Sequence, residues 1–222
     1  MQFIKDSDAV SGGNKLRDRI IAELQSDKLV LWLLTGGSGI PLCSRIMSEI
    51  PGELTPRLTV ALADERYGPV GHPDSNWRQL DDFGFDAKQA TRLEVLGNYE
   101  GLAQAATQYD RVMEDELSRN DVVIGTFGMG PDGHTVGVLP HTIGVTSQET
   151  VVGYETPQYD RITMTLAAVS TCDAAFLFAY GDGKREVLQK LQQEVPLDDQ
   201  PAQILKRISE SYVYNDQIGD QS

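Results

Sequence analysis

Four short runs of apolar residues recur along the chain, at 29–34, 58–62, 122–127 and 174–179. Each is almost uninterrupted by polar positions, a pattern typical of strands buried on both faces of a sheet. Between the runs, apolar residues repeat at helical spacing, as at Leu16, Ile20, Ile21 and Leu24. A second such face comprises Leu102, Ala105, Ala106, Tyr109, Met113 and Leu117, and helices are also predicted at 184–193 and 201–208.

This alternation of strands and helices predicts an α/β fold, with a mostly parallel, Rossmann-like open sheet flanked by helices. Ligands of such sheets bind at the carboxyl ends of the strands. Residues 141–166 differ, because Ile162, Met164 and Leu166 alternate with threonines, which predicts a small antiparallel β lobe. We expect one domain over residues 1–222, with a frayed tail at 216–222.

The chain is strongly acidic, with 33 Asp and Glu against 19 Lys and Arg and a formal net charge of −14. This field repels nucleic acids and anionic membranes, so neither is expected as a partner. No apolar run reaches the length of a signal peptide or membrane span, which favours a cytoplasmic protein. Cys43 and Cys172 lie far apart without metal-binding spacing, so we expect buried, reduced thiols.

Two of the predicted strands lead into loops suited to anions. Thr35-Gly36-Gly37-Ser38-Gly39 precedes Pro41, a residue favoured at a helix start, so its N–H groups could bind an anion. A tight turn that binds nothing is the alternative. After the next strand, Arg66 offers a planar guanidinium group for phosphate or carboxylate, and Asp64 could hold a hydroxyl or orient a neighbour. A solvated turn is the alternative. Ser75 is predicted to cap the following helix.

The third strand leads into Gly128-Met129-Gly130-Pro131-Asp132-Gly133-His134. Its glycines match a dinucleotide-binding fingerprint, but Pro131 removes a backbone donor and Pro140 limits a continuing helix. What remains is a turn that presents Asp132 and His134 at a strand end. A carboxylate near a histidine can fix its tautomer for general-base work, whereas a purely structural histidine is the alternative.

Two further cations follow, Arg161 before the alternating strand and Lys184 within Gly181-Asp182-Gly183-Lys184. A lysine near a helix start is unfavourable with the helix dipole, and a bound anion would account for it. An ordinary solvated lysine is the alternative. His72 and His141 lack metal-ligand spacing, so no metal site is predicted.

Together these segments resemble the 6-phosphogluconolactonase family, which belongs to the glucosamine-6-phosphate isomerase superfamily. The matching pieces occur in family order: Gly36-Gly37-Ser38, Asp64-Glu65-Arg66, Asp74-Ser75-Asn76, Gly128 to Thr135, Arg161 to Leu166, and Gly183-Lys184. The resemblance implies hydrolysis of 6-phosphoglucono-1,5-lactone in the pentose phosphate pathway, without metal or organic cofactor. It also implies a small-molecule sugar phosphate as partner, in a monomer or homodimer.

The resemblance also implies residue roles. The 36–38 turn (Gly36, Gly37 and Ser38), Arg161 and Lys184 would hold the phosphate. His134 would be the general base, oriented by Asp132. Arg66 would stabilise oxyanion charge or contact the phosphate, and Asp64 is assigned to the catalytic group with it.

Some positions depart from the family pattern or bear on the alternatives. The sugar isomerases place a glutamate five residues after the histidine, where this chain has Leu139, and leucine cannot transfer a proton. An isomerase or deaminase is therefore the less favoured alternative, and a non-catalytic sugar-phosphate sensor is another. Gly39-Ile40 replaces the usual threonine-containing turn, and Val136-Gly137-Val138-Leu139 replaces the usual continuation of the histidine loop.

Overall fold

A computed structural model describes residues 1–219. Within that range the strands are β1 (Gln2–Lys5), β2 (Val30–Leu34), β3 (Leu58–Leu62), β4 (Asp64–Arg66), β5 (Thr91–Arg92), β6 (Val122–Gly128), β7 (Val151–Tyr154), β8 (Arg161–Met164), β9 (Ala174–Ala179) and β10 (Glu210–Asn215). Seven form one sheet in the order β1-β10-β9-β6-β2-β3-β5, with every neighbouring pair parallel. The predicted α/β class with a parallel sheet is confirmed.

The central strands are buried along their whole length, since every residue of β2, β3 and β9 is buried. Helices on both faces exclude water from them, which is why their sequences are apolar throughout. All four predicted strands coincide with observed ones to within one residue at each end. β1 and β10 were not predicted, because Gln2–Lys5 and Glu210–Asn215 mix polar with apolar residues.

The helices are α1 (Val10–Gln25), α2 (Ile40–Glu49), α3 (Asn76–Asp82), α4 (Leu102–Arg119), α5 (Ile143–Thr146), α6 (Leu166–Val169) and α7 (Arg185–Gln192). The predicted apolar faces of α1 and α4 are buried in the core. The helix predicted at 201–208 is present at Pro201–Arg207, where it is a 3-10 helix with five buried residues. Its tight turns bury Ile204 and Leu205 against the core without a full α-helical turn.

A second, three-stranded antiparallel sheet has the order β4-β8-β7. The sheet confirms the predicted β lobe, which supplies β7 and β8. It also includes β4, which comes from an earlier part of the chain. Residues 64–66 therefore form a strand, not the loop that the sequence suggested. Asp64 pairs with Thr163 and Arg66 pairs with Arg161, so the register brings two predicted site segments side by side.

The structure also bears on the predictions for the cysteines, the carboxyl-terminal segment and membrane-spanning helices. Cys43 and Cys172 are both free and buried, and burial raises the pKa of each thiol to about 12. The predicted fraying does not extend to Asp216, whose carboxylate accepts a hydrogen bond from Gly181 N–H, while residues 220–222 lie outside the described range. No helix among the described residues is long and apolar enough to cross a membrane.

Candidate active site

A cleft with a cavity volume of about 300 Å³ opens at the carboxyl ends of the central strands, where the predicted loops meet. Eight of the nine predicted site residues line it: Gly36, Gly37, Ser38, Asp64, Arg66, His134, Arg161 and Lys184. The ninth, Asp132, hydrogen-bonds to the side chain of His134. The structure thus brings all the predicted segments to one place, while the role of each residue stays a prediction.

The turn after β6 fixes the geometry of the Asp132–His134 pair. His134 Nδ1 lies 2.6 Å from Asp132 Oδ1, and His134 N–H also donates to that oxygen at 3.2 Å. Gly133 adopts φ +84°, a conformation that favours glycine. A Cβ on Gly130 would lie 2.2 Å from the His134 ring, so the glycine is needed for the ring to pack across the backbone.

The electrostatics of the pair suit proton transfer. Burial by itself would raise the pKa of Asp132, but the hydrogen bond and the charge of His134 outweigh it, so the pKa lies below its usual value. Asp132 is therefore an anion at neutral pH, and its carboxylate accepts a hydrogen bond from His134 Nδ1–H. Nε2 is then the ring nitrogen that can take a proton from water, as a general base does.

On the glycine-rich side of the cleft, β2 leads through a 3-10 turn at Gly37–Gly39 into α2. Gly37 has φ +59°. A Cβ on Gly36 would lie 2.0 Å from Asn76 Oδ1, so only glycine allows this close approach. Gly36, Gly37 and Ser38 therefore line the cleft just before the amino end of α2, with no side chain larger than that of serine, where backbone N–H groups can bind an anion.

Lys184 connects two of the loops, because its ammonium group donates a hydrogen bond to the carbonyl oxygen of Met129. It ends the 3-10 turn that precedes α7, which confirms the predicted location at a helix start. Burial lowers the pKa of Lys184, and the charge of Asp132 acts in the opposite direction. A cation that burial disfavours in this way gains from a bound anion.

The small sheet supplies two guanidinium groups. Arg161 is 9% exposed, and its Nη1 lies 3.5 Å from Asp64 Oδ2. Arg66 donates to the carbonyl of Asp74 at 3.0 Å and lies over the ring of Tyr159, 5.6 Å from its centroid. The Nε of each arginine is buried and has no partner among the described residues. Both arginines line the cleft, so their guanidinium groups are placed to bind an anionic ligand.

Gln158, Tyr159 and Val136 also line the cleft, although sequence reasoning assigned none of them to the site. Gln158 and Tyr159 fall within the segment preceding β8, but only the pairing of β8 with β4 brings Tyr159 against Arg66. The other histidines lie elsewhere: His72 bonds to the Arg66 carbonyl and His141 to Asp198. Among residues 1–219, no group of His, Cys, Asp or Glu is arranged to hold a metal.

Glu65, between Asp64 and Arg66, is fully buried and holds the strand in place. Its carboxylate accepts four hydrogen bonds at 2.6–3.1 Å, from Arg66 N–H, Ser75 O–H, Asn76 N–H and Trp77 N–H. Ser75 also caps α3, as predicted. Burial raises the pKa of Glu65, and the four hydrogen bonds act in the opposite direction. β4 is thus tied to the amino end of α3.

Replacing Glu65 by glutamine is expected to lower the free energy of unfolding by about 2 kcal/mol or more, because one amide N–H₂ must then face backbone donors. Urea unfolding measures the difference. Glu114→Gln, at an exposed position of α4, is the matched control and should change stability by less than about 0.5 kcal/mol. Equal stability of the two variants would contradict the role given to Glu65.

Comparisons with known proteins agree with this geometry. A profile of the family described as glucosamine-6-phosphate isomerases/6-phosphogluconolactonase matches residues 6–214. A 6-phosphogluconolactonase from Mycobacterium tuberculosis is 27% identical over 206 residues, which cover 85% of this chain and 83% of that protein.

Solved structures share the fold. The crystal structure of a 6-phosphogluconolactonase from Shewanella baltica OS155 superposes with a TM-score of 0.82 at 19% identity, covering 97% of both chains. A monomeric glucosamine-6-phosphate deaminase superposes with a TM-score of 0.78 at 20% identity, also over 97% of both chains. With nearly the whole chain matched by the family profile, and the motifs of that family gathered in one cleft, the protein belongs to the glucosamine-6-phosphate isomerase/6-phosphogluconolactonase family.

Proposed function

We propose that the protein is a 6-phosphogluconolactonase, which hydrolyses 6-phospho-D-glucono-1,5-lactone to 6-phosphogluconate in the pentose phosphate pathway. The observation that carries the proposal is the Asp132–His134 pair, which shares one cleft with Arg66, Arg161 and Lys184. A general base beside a cluster of cations fits an ester substrate that also bears a phosphate.

In the proposed reaction, His134 Nε2 takes a proton from water as the water oxygen attacks the lactone carbonyl carbon. The tetrahedral oxyanion then collapses, the bond from that carbon to the ring oxygen breaks, and His134 returns the proton to the ring oxygen. Asp132 holds the imidazole in the required tautomer and stabilises its protonated form. Arg66 stabilises the oxyanion or contacts the phosphate, a choice that separate effects on kcat and KM in an Arg66 variant decide.

The phosphate is proposed to bind Lys184, Arg161 and the 36–38 turn. Arg161 is already paired with Asp64, so Asp64 orients this guanidinium toward the cleft and offers a carboxylate oxygen to a sugar hydroxyl. The charges of Arg66, Arg161 and Lys184, together with the nearby amino end of α2, supply the local positive field that the acidic chain otherwise lacks. No metal or organic cofactor is required in this scheme, since His134 activates the water.

A glucosamine-6-phosphate isomerase or deaminase is the alternative enzyme, and its fold is shared. Leu139 argues against it, because the side chain five residues after His134 cannot transfer a proton. A non-catalytic sugar-phosphate sensor is disfavoured by the intact hydrogen bond between Asp132 and His134. The acidic charge disfavours nucleic acid and anionic membranes as partners, and we propose a cytoplasmic monomer or homodimer.

The proposed function is tested by adding purified protein, in buffer containing EDTA, to fresh 6-phosphoglucono-1,5-lactone and following proton release. We expect saturable hydrolysis, proportional to protein concentration, above the spontaneous rate. Ammonia release from glucosamine 6-phosphate is measured in parallel. Hydrolysis at only the spontaneous rate would refute the lactonase, and ammonia release would then support the deaminase.

The lowered pKa of Lys184 predicts a pH dependence of phosphate binding. As pH rises, the ammonium loses its proton earlier than an ordinary lysine, so the Kd of 6-phosphogluconate should begin to rise at a correspondingly lower pH. Lys184→Arg keeps its charge throughout and should remove this rise. Titration calorimetry of both proteins between pH 7 and about 10 measures it. A wild-type Kd that stays as flat as that of the arginine variant would contradict this.

A further inference from the structure

A turn just after the catalytic pair contains a valine in a left-handed conformation. Val138 N–H donates to the Thr135 carbonyl at 3.0 Å, which closes a two-residue turn over Val136 and Gly137. Val136 has φ +48°, whereas Gly137 is not in the positive-φ region. A positive φ at the first central position of a turn is normally supplied by glycine, and a β-branched residue there is strained.

The adjacent glycine has a different reason to be where it is. A Cβ on Gly137 would lie 2.8 Å from Thr163 Cβ and 3.0 Å from Asp64 Cβ, so close packing against β8 and β4 requires glycine. The glycine of this turn therefore satisfies packing at the second position, and it does not relieve the torsion at the first. Folding alone would favour glycine at position 136 as well.

Surrounding contacts hold the strained conformation. Gly137 N–H donates to Thr163 Oγ1 at 3.0 Å, and Tyr154 O–H donates to the Gly137 carbonyl. Thr135 O–H donates to the Gly128 carbonyl at 3.0 Å. A strained residue fixed from several sides in this way is typical of functional sites.

Val136 lines the same cleft as His134 and is 9% exposed. The nine residues assigned to the site are charged, polar or glycine, so Val136, together with Met129, contributes an aliphatic surface that they lack. A sugar lactone presents C–H groups beside its carbonyl carbon, and an isopropyl group two residues from the general base is suited to contact them.

We propose that Val136 is a specificity-determining residue. Its isopropyl group packs against the lactone ring next to the reacting carbonyl and thereby discriminates between lactones of different shape at that position. The strained turn is the means by which this side chain is held in the cleft. The proposal rests on the lactonase function proposed above.

The test compares kcat/KM for 6-phosphoglucono-1,5-lactone with that for its C2 epimer, since C2 adjoins the carbonyl carbon. The wild type should favour the gluconolactone, and Val136→Ala should reduce this preference by about tenfold, the effect expected for lost aliphatic contacts. The preference for phosphorylated over unphosphorylated gluconolactone should stay unchanged. An alanine variant that keeps the wild-type epimer preference, or a wild type without one, overturns the proposal.

Thermal unfolding tests the strain separately. Val136→Gly should melt about 2–4 °C above Val136→Ala, since glycine accepts the torsion that alanine resists. At Val70, which is 69% exposed and has no positive φ, the matched alanine variant should be at least as stable as the glycine variant. The same order at both positions would contradict the strain.

Failure of this inference differs from failure of the proposed function. A wild-type protein without lactonase activity refutes the function itself. An active wild type whose Val136→Ala variant keeps its epimer preference refutes only the role of Val136.

Discussion

Replacing His134 by alanine is expected to lower kcat for 6-phosphoglucono-1,5-lactone by about 10² to 10⁴. In the proposed reaction the imidazole acts on water in the transition state and contributes little to ground-state binding, so KM should change by less than about threefold. Asp132→Asn should give a smaller loss in kcat, because the ring remains but its tautomer is no longer fixed. Initial rates corrected for spontaneous hydrolysis measure both effects.

The chain offers a matched control for this experiment. His141 Nδ1 lies 2.8 Å from Asp198 Oδ2, so it forms a similar histidine–carboxylate pair, but it does not line the cleft. His141→Ala should leave kcat and KM near their wild-type values. Comparable losses in the two alanine variants would show that His134 has no special part in the chemistry.

Replacing Lys184 by alanine is expected to raise KM for the phosphorylated lactone by about 10- to 100-fold, the effect of losing a charge-assisted hydrogen bond to phosphate. The kcat should change far less, because the phosphate is bound similarly in the ground state and the transition state. Rates with unphosphorylated gluconolactone should be almost unaffected. Steady-state kinetics on the two lactones measure these effects.

Lys190 provides the control for Lys184. It lies on α7, is exposed, and donates to the Asp199 carbonyl at 3.2 Å, outside the cleft. Lys190→Ala removes the same charge and should leave KM unchanged. A similar rise in KM for both variants would mean that the net charge of the protein, and not a specific contact, governs substrate binding.

The central fold could be predicted from sequence because its strands are buried on both faces and therefore apolar along their length. β10 lies between β1 and β9, but its polar residues interrupt the apolar pattern from which the other strands were predicted. Likewise, the apolar residues of 201–207 repeat as in an α-helix, although the segment forms a 3-10 helix. Periodicity reports which side chains are buried more reliably than it reports the backbone hydrogen bonds.

In the candidate site, too, some contacts follow from the local sequence and others depend on the fold. Asp132 and His134 are two residues apart, so their contact follows from local spacing. The Asp64–Arg161 ion pair depends on the pairing of β4 with β8, which nothing in either segment specifies. The burial of Glu65 and the left-handed torsion of Val136 arise from contacts across the fold. Their part in the site therefore became visible only in three dimensions.

We propose that two residues of one cleft have separate roles, in which His134 performs the chemistry and Lys184 recognises the phosphate. The most direct test is the ratio of kcat/KM for phosphorylated gluconolactone to that for the unphosphorylated lactone, measured in both alanine variants. We predict that His134→Ala keeps the wild-type ratio while both rates fall together, and that Lys184→Ala lowers the ratio at least about tenfold. A lowered ratio in His134→Ala, together with an unchanged ratio in Lys184→Ala, would contradict the roles proposed for the two residues.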